Sequence, residues 1–151
     1  MNEKTIATNR KARHDYFIYD TYEAGLVLSG SEIKSVRAGH VSIKEAYIRI
    51  ENHEAWLVDA YIAPYDQASH FNHEPRRKRK LLLHRKEINK LWDKVRQKSM
   101  TIVPLRLYLK YGRAKLEIAV AKGKKQYDKR QTLAKRDAQR EIERQFSRRR
   151  D

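Results

Sequence analysis

Two periodicities organise the chain. Apolar positions repeat every second residue through several short stretches, and every three to four residues through one longer stretch. Asp15-Tyr16-Phe17-Ile18-Tyr19 is rich in aromatic and branched side chains and predicts a strand, which Ala24 to Leu28 continues after a bend near Gly25. Ser31 is placed to cap a short helix, Glu32 to Ala38, that stops at Gly39. Ala46 to Ile50 and Ala55 to Ile62 then alternate as two strands. Their inward faces are read as Ile48 with Ile50, and Trp56, Val58, Ala60 with Ile62; residues 51–54 form the connecting loop.

Residues 63–80 read as a long irregular segment ending in the run Arg76-Arg77-Lys78-Arg79-Lys80. Leu81, Leu82 and Leu83 then return the chain to the core. Ile88, Leu91, Trp92 and Val95 form one apolar stripe of a helix, with Lys86, Lys90 and Lys94 on its wet side. A final hairpin alternates Leu105, Leu107, Leu109 with Arg106, Tyr108, Lys110. After Tyr111-Gly112-Arg113 it alternates Leu116, Ile118, Val120 with Lys115, Glu117, Ala119. Each arm is expected to bury one side and show a basic, aromatic side to water. Strands joined by tight hairpins without β-α alternation predict a mainly β fold: a small antiparallel barrel of the oligonucleotide-binding type with two or three flanking helices.

Charge changes what this barrel is expected to do. The 151 residues carry 35 Lys or Arg against 19 Asp or Glu, a formal charge of +16. Such a chain seeks an anionic partner, with nucleic acid ahead of a membrane surface. No apolar run approaches the ~20 residues of a spanning helix, so no membrane partner is expected. Met1-Asn2-Glu3-Lys4 lacks the apolar run of a secretory signal, so a cytoplasmic location is expected. The chain has no cysteine, which excludes disulfides and thiolate metal sites. Residues 121–151 hold 12 Lys or Arg and 5 Asp or Glu, and their only large aliphatic or Phe side chains are Leu133, Ile142 and Phe146. So few apolar groups cannot offset an ordering cost of ~1–2 kcal/mol per residue, so this segment is expected to order only on a partner. The domain reading is a flexible lead at 1–13, a β-barrel body at 14–121 and a basic tail at 122–151.

Catalytic patterns are sparse. No glycine-rich phosphate loop of standard spacing and no Gly-x-Ser-x-Gly turn is present. His70, His73 and Glu74 could suggest a metal pair, but surface histidines are the plainer reading. Glu23 or Glu32 could serve a nuclease, against which stand ordinary surface or cap roles, and Asp128 lacks the second carboxylate of a metal-dependent phosphodiesterase. Neither a catalytic residue nor a cofactor is expected. Tyr16, Tyr19, Tyr22, Tyr108, Tyr111 and Tyr127 share segments with Lys or Arg. Rings stack on unpaired bases while cations follow phosphates; the competing reading is tyrosine packing with a wet hydroxyl. The run Arg76–Lys80 is read as a phosphate contact.

Four blocks in order resemble one family. They are Asn9-Arg10-Lys11-Ala12-Arg13-His14-Asp15-Tyr16-Phe17-Ile18; Tyr22-Glu23-Ala24-Gly25-Leu26 with Gly30-Ser31-Glu32-Ile33-Lys34-Ser35; Arg79-Lys80-Leu81-Leu82-Leu83; and Ala121-Lys122-Gly123-Lys124-Lys125 with Asp128-Lys129-Arg130. They are similar to small protein B, the SsrA-binding (transfer-messenger-RNA-binding) proteins of bacteria. The resemblance implies a six-stranded barrel that binds the tRNA-like domain of transfer-messenger RNA. It implies delivery of that alanine-charged RNA, with elongation factor Tu and GTP, to stalled ribosomes for trans-translation. The tail would enter the decoding centre and the empty message channel and become helical there. The RNA-facing residues carried over are His14, Tyr16, Glu23, Arg79, Lys80, Leu82, Gly123 and Lys124. Tyr127, Asp128, Lys129 and Arg130 would meet small-subunit rRNA. A monomer is expected. The alternatives are a general rRNA-binding barrel of ribosomal or initiation-factor type, and an RNA-processing nuclease.

Overall fold

The computed structural model describes residues 2–65 and 72–124. Expectations on 125–151, including Tyr127, Asp128, Lys129, Arg130 and the helical tail, lie outside the described residues, as does His70.

The elements, in chain order, are β1 (Glu3–Thr8), α1 (Arg10–Asp15), β2 (Tyr16–Leu26), α2 (Gly30–Arg37), β3 (Val41–Ser42), β4 (Tyr47–Glu51), β5 (Glu54–Val58), β6 (Tyr61–Ile62), β7 (Arg79–Leu82), α3 (Arg85–Lys98), β8 (Thr101–Lys110) and β9 (Arg113–Gly123). The main sheet runs β1-β8-β4-β5-β7-β2-β9, and β8 also pairs with β9. That last pairing closes β8-β4-β5-β7-β2-β9 into the expected antiparallel barrel. β3 and β6 form a separate two-stranded ribbon. Leu26, Ile48, Leu57, Leu81, Leu107, Leu116 and Ile118 fill the interior, with Leu91 of α3 and Val36 of α2 packed into the same cluster.

Several expectations are corrected. The lead-in expected at 1–13 is instead a strand and a helix. β1 pairs antiparallel with β8 from Glu3 opposite Lys110 to Thr8 opposite Arg106. The turn into α1 is fixed by buried Asn9, whose amide donates to Pro104 O (2.9 Å) and Ile43 O (3.3 Å) and accepts from Ala12 N–H (3.1 Å). The strand begun at 15–19 does continue through 24–26 as expected, but its irregularity is a register shift between Ile18 and Thr21 rather than a bend at Gly25. α2 starts two residues early, because Ser29, not Ser31, is its N-cap. Glu32 accepts from the Ser29 backbone N–H (2.8 Å) and completes a capping box. Gly39 ends the helix as expected: at φ +80° it lets its own N–H reach Val36 O (2.9 Å) and that of His40 reach Ser35 O (3.0 Å).

The strand expected through Ala55–Ile62 breaks at Asp59, whose φ is +61°, and the remainder joins β3. Its inward face before the break is Ala55 and Leu57, so Trp56 and Val58 point away from the core. The β4–β5 connection is a two-residue turn, Asn52-His53, with φ +50° and +63°. Trp92 of α3 is 41% exposed and lies off the buried stripe of Ile88 and Leu91. The outer face of β8–β9 is not left to water: Ala12 of α1 packs with Val103, Leu105, Ala119 and Ala121 in a second small cluster.

Candidate nucleic-acid interface

The bulge in β2 decides which side chains share a surface. Ile18 is paired with Ala121, and Thr21 with Ala119, so two β2 residues oppose one on β9. Tyr16 and Ile18 therefore pack on the same side as Ala119 and Ala121, while Tyr22, Ala24 and Leu26 pack into the barrel interior. Tyr16 and Glu23, seven residues apart, would face opposite ways on a regular strand. The extra residue brings both to the outside of the barrel.

Four of the residues assigned by resemblance converge where β2 leaves α1. Tyr16 is directly opposite Gly123. The Lys124 ammonium is 3.5 Å from Arg13 O and lies 5.2 Å from the centre of the Phe17 ring. His14 stands in the last turn of α1, its side chain 81% exposed and its Nδ1 3.0 Å from Asp15 Oδ1. A cleft of about 300 Å³ opens between Tyr16, Ser99, Thr101, Lys122 and Gly123.

Glu23, Lys80 and Leu82 form a second group on the outer face of β2 and β7. Gly25 is opposite Leu82. A side chain at Gly25 would meet the Leu82 Cβ at 3.2 Å, so glycine lets the leucine lie across β2 with 57% of its surface exposed. Lys80 reaches Glu54 at 3.3 Å. The Glu23 carboxylate accepts from the Tyr108 hydroxyl and lies 3.4 Å from the Lys110 ammonium. The Tyr108 hydrogen bond is the main reason its carboxyl is held below the usual range.

Arg79 is a correction. Assigned to the RNA surface, it is 0% exposed. Its Nε binds Glu32, Nη1 donates to Ala60 O (2.8 Å), and Nη2 donates to Pro75 O (3.0 Å) and Glu74 O (3.4 Å). Arg77 grips both oxygens of Glu32, Nη2 donating to Oε1 and Nε to Oε2 (3.1 Å), the oxygen that Arg79 also binds. Burial opposes ionisation of Glu32, yet the Arg77, Ser29 and Arg79 hydrogen bonds overcome it and hold its pKa at about 2. Of the two carboxylates considered for a nuclease, Glu32 is sealed between two guanidinium groups, whereas Glu23 has one oxygen tied to Tyr108 and stays accessible.

The rest of the basic run also has partners within the body. Arg76 lies over Tyr61, and Lys78 lies 4.6 Å from the Trp56 ring centre and 3.3 Å from Glu51. Both ring nitrogens of His73 are engaged, Nδ1 with Ser31 Oγ (2.8 Å) and Nε2 with Ile62 O (2.9 Å). Tyr108, expected on a wet face, is 2% exposed beneath Arg106, whose guanidinium lies 4.0 Å from its ring centre. Sequence reasoning missed Asn9 and the β1 contacts to Arg106, because both depend on partners about a hundred residues away. Among the described residues no helix is long and apolar enough to cross a membrane.

The SmpB protein family matches residues 6–148. The chain belongs to that family. An SsrA-binding protein of Desulforudis audaxviator (strain MP104C) is 58% identical over 142 residues, covering 94% of this chain and 93% of that protein. One of Roseiflexus castenholzii (strain DSM 13941 / HLO8) is 60% identical over 143 residues, covering 94% and 90%. A solved SmpB chain, described with the words "tmRNA-SmpB: a journey to the center of the bacterial ribosome", is 51% identical to this one. It superposes with a TM-score of 0.65 over 78% of this chain and 82% of that chain. That superposition also supports the mainly β, antiparallel reading of the sequence.

Proposed function

We propose that this SmpB-family chain is a non-enzymatic adaptor of trans-translation. It binds the tRNA-like domain of transfer-messenger RNA and brings it to stalled bacterial ribosomes in the cytoplasm. Near-full-length identity with SsrA-binding proteins carries this reading. In this account the barrel grips RNA through His14, Tyr16, Gly123 and Lys124 at one end of β2, and through Glu23, Lys80 and Leu82 on its outer face. Arg79 supports that surface from beneath. The arm begins beyond β9, which carries the chain to Gly123, rather than at 122: Tyr127, Asp128, Lys129 and Arg130 meet small-subunit rRNA, and the remainder occupies the vacant message channel as a helix. Elongation factor Tu and GTP act in the same delivery.

The division of labour follows from physical chemistry. A packed barrel holds an acceptor, an apolar contact and cations at fixed spacing. A cationic segment poor in apolar residues follows a phosphate-lined channel without a preformed shape. Titration of the full chain with a tRNA-like-domain transcript, against elongator tRNA as competitor, tests the reading. Preferential binding is expected. With six to ten phosphates neutralised, affinity should fall by about 10³–10⁵ between 50 and 200 mM salt. Equal affinity for both RNAs would contradict it.

A further inference from the structure

We infer that Tyr108 is a positioning residue for Glu23, holding that carboxylate so that one oxygen is presented to a hydrogen-bond donor of the bound RNA. The inference rests on the proposed RNA-binding role of the barrel.

The geometry is specific. Tyr108 stands on β8 opposite Lys115 of β9, and Glu23 on β2 opposite Glu117 of β9. The phenol therefore crosses the outer face of β9 to reach a strand two places away. Its hydroxyl donates to Glu23 Oε2, the oxygen that Lys110 also approaches. Among the described residues no hydrogen bond reaches Glu23 Oε1. The Glu23 side chain is 41% exposed, whereas its tyrosine donor is 2% exposed. A fixed, buried donor thus aims an accessible acceptor.

The support continues outward. Arg106, stacked on the Tyr108 ring, bonds Thr5 Oγ1 (2.9 Å) and lies 3.7 Å from Glu3 and 3.8 Å from Glu117. The tyrosine is thereby clamped between the sheet and a guanidinium that β1 holds. An ionised carboxylate only accepts, so it repels phosphate and selects a ribose 2′-hydroxyl, a base amino group or a ring N–H. A carboxylate free to rotate would lose more entropy on binding; a locked one loses less.

The test is a double-substitution cycle on the full chain with the tRNA-like-domain transcript at fixed salt, alongside thermal melting. Tyr108→Phe keeps the ring and removes the donor. It should weaken RNA binding about threefold to tenfold, with an unchanged slope of affinity against salt because no cation is lost. Glu23→Gln should weaken binding at least as much. The double variant should bind no more weakly than Glu23→Gln alone, because the tyrosine acts only through the glutamate. Tyr108→Phe binding within twofold of the parent, or losses that add fully in the double variant, would overturn the inference. Failure of the parent chain to prefer this transcript would instead overturn the adaptor reading, so the two failures are separable.

Discussion

Glu32 shows at the scale of single residues why a basic motif need not face a ligand. Its carboxylate sits between Arg77 and Arg79 with no exposed surface. Removing one partner of a buried ion pair strands the others, so Glu32→Gln should destabilise the fold by about 3–5 kcal/mol in denaturant titrations. A pKa of about 2 in the folded chain, against 4.5 ordinarily, fixes the pH dependence. The folded state binds fewer protons there than the unfolded state. This contribution is therefore fully present above about pH 4.5 and drains away as pH falls towards 2. Denaturant titrations between pH 5 and pH 2.5 should show that loss in the parent and a shallower one in Glu32→Gln. Arg79→Lys should likewise cost stability, about 2 kcal/mol or more, while the folded protein keeps RNA affinity within roughly threefold. A large affinity loss with unchanged melting would return Arg79 to the RNA surface.

At the scale of elements, period two was legible on β4 and β9, while on β5 the alternation was read with the wrong face inward, Trp56 and Val58 for Ala55 and Leu57. Ile48 on β4 and Leu116, Ile118 and Val120 on β9 face the core as their alternation predicts. It failed where the chain spends an extra residue. Tyr16, Ile18 and Tyr22 suit either face, so the side chains of β2 do not fix where its facing switches; the pairing with β9 does. β1 was illegible for another reason: Glu3-Lys4-Thr5-Ile6-Ala7-Thr8 offers mainly Ile6 and Ala7 to the core, and its hydrogen bonds come from β8. Removing residues 2–8 should cost about 2 kcal/mol or more, from the burial of Ile6 and the lost pairing. It should also speed amide exchange in Arg106–Lys110, measurable by NMR. Unchanged exchange there would mean β1 contributes little to holding that edge.

For the whole molecule, the barrel could be read from its hairpins and an anionic partner from its charge, whereas the particular RNA could not. Positive charge names a class of partner; the ordered blocks around Tyr16, Glu23, Leu82 and Gly123 narrow it to one family, which matches residues 6–148. The structure then sorts those blocks. His14, Tyr16, Gly123 and Lys124 gather at one end of β2, Glu23, Lys80 and Leu82 line an outer face, and Arg79 turns inward. The sequence could not show that sorting, because Arg79 and Lys80 differ in role only through strand direction and through Glu32, 47 residues away. The central claim is that grip and ribosome engagement reside in different parts of one chain. Its most direct test replaces Asp128, Lys129 and Arg130 together by alanine and compares two readouts, affinity for the tRNA-like domain and peptide tagging on stalled ribosomes. Affinity should stay within about threefold of the parent while tagging falls to background; tagging at the parental rate, or parallel loss of both activities, would show that the two roles are not divided in this way.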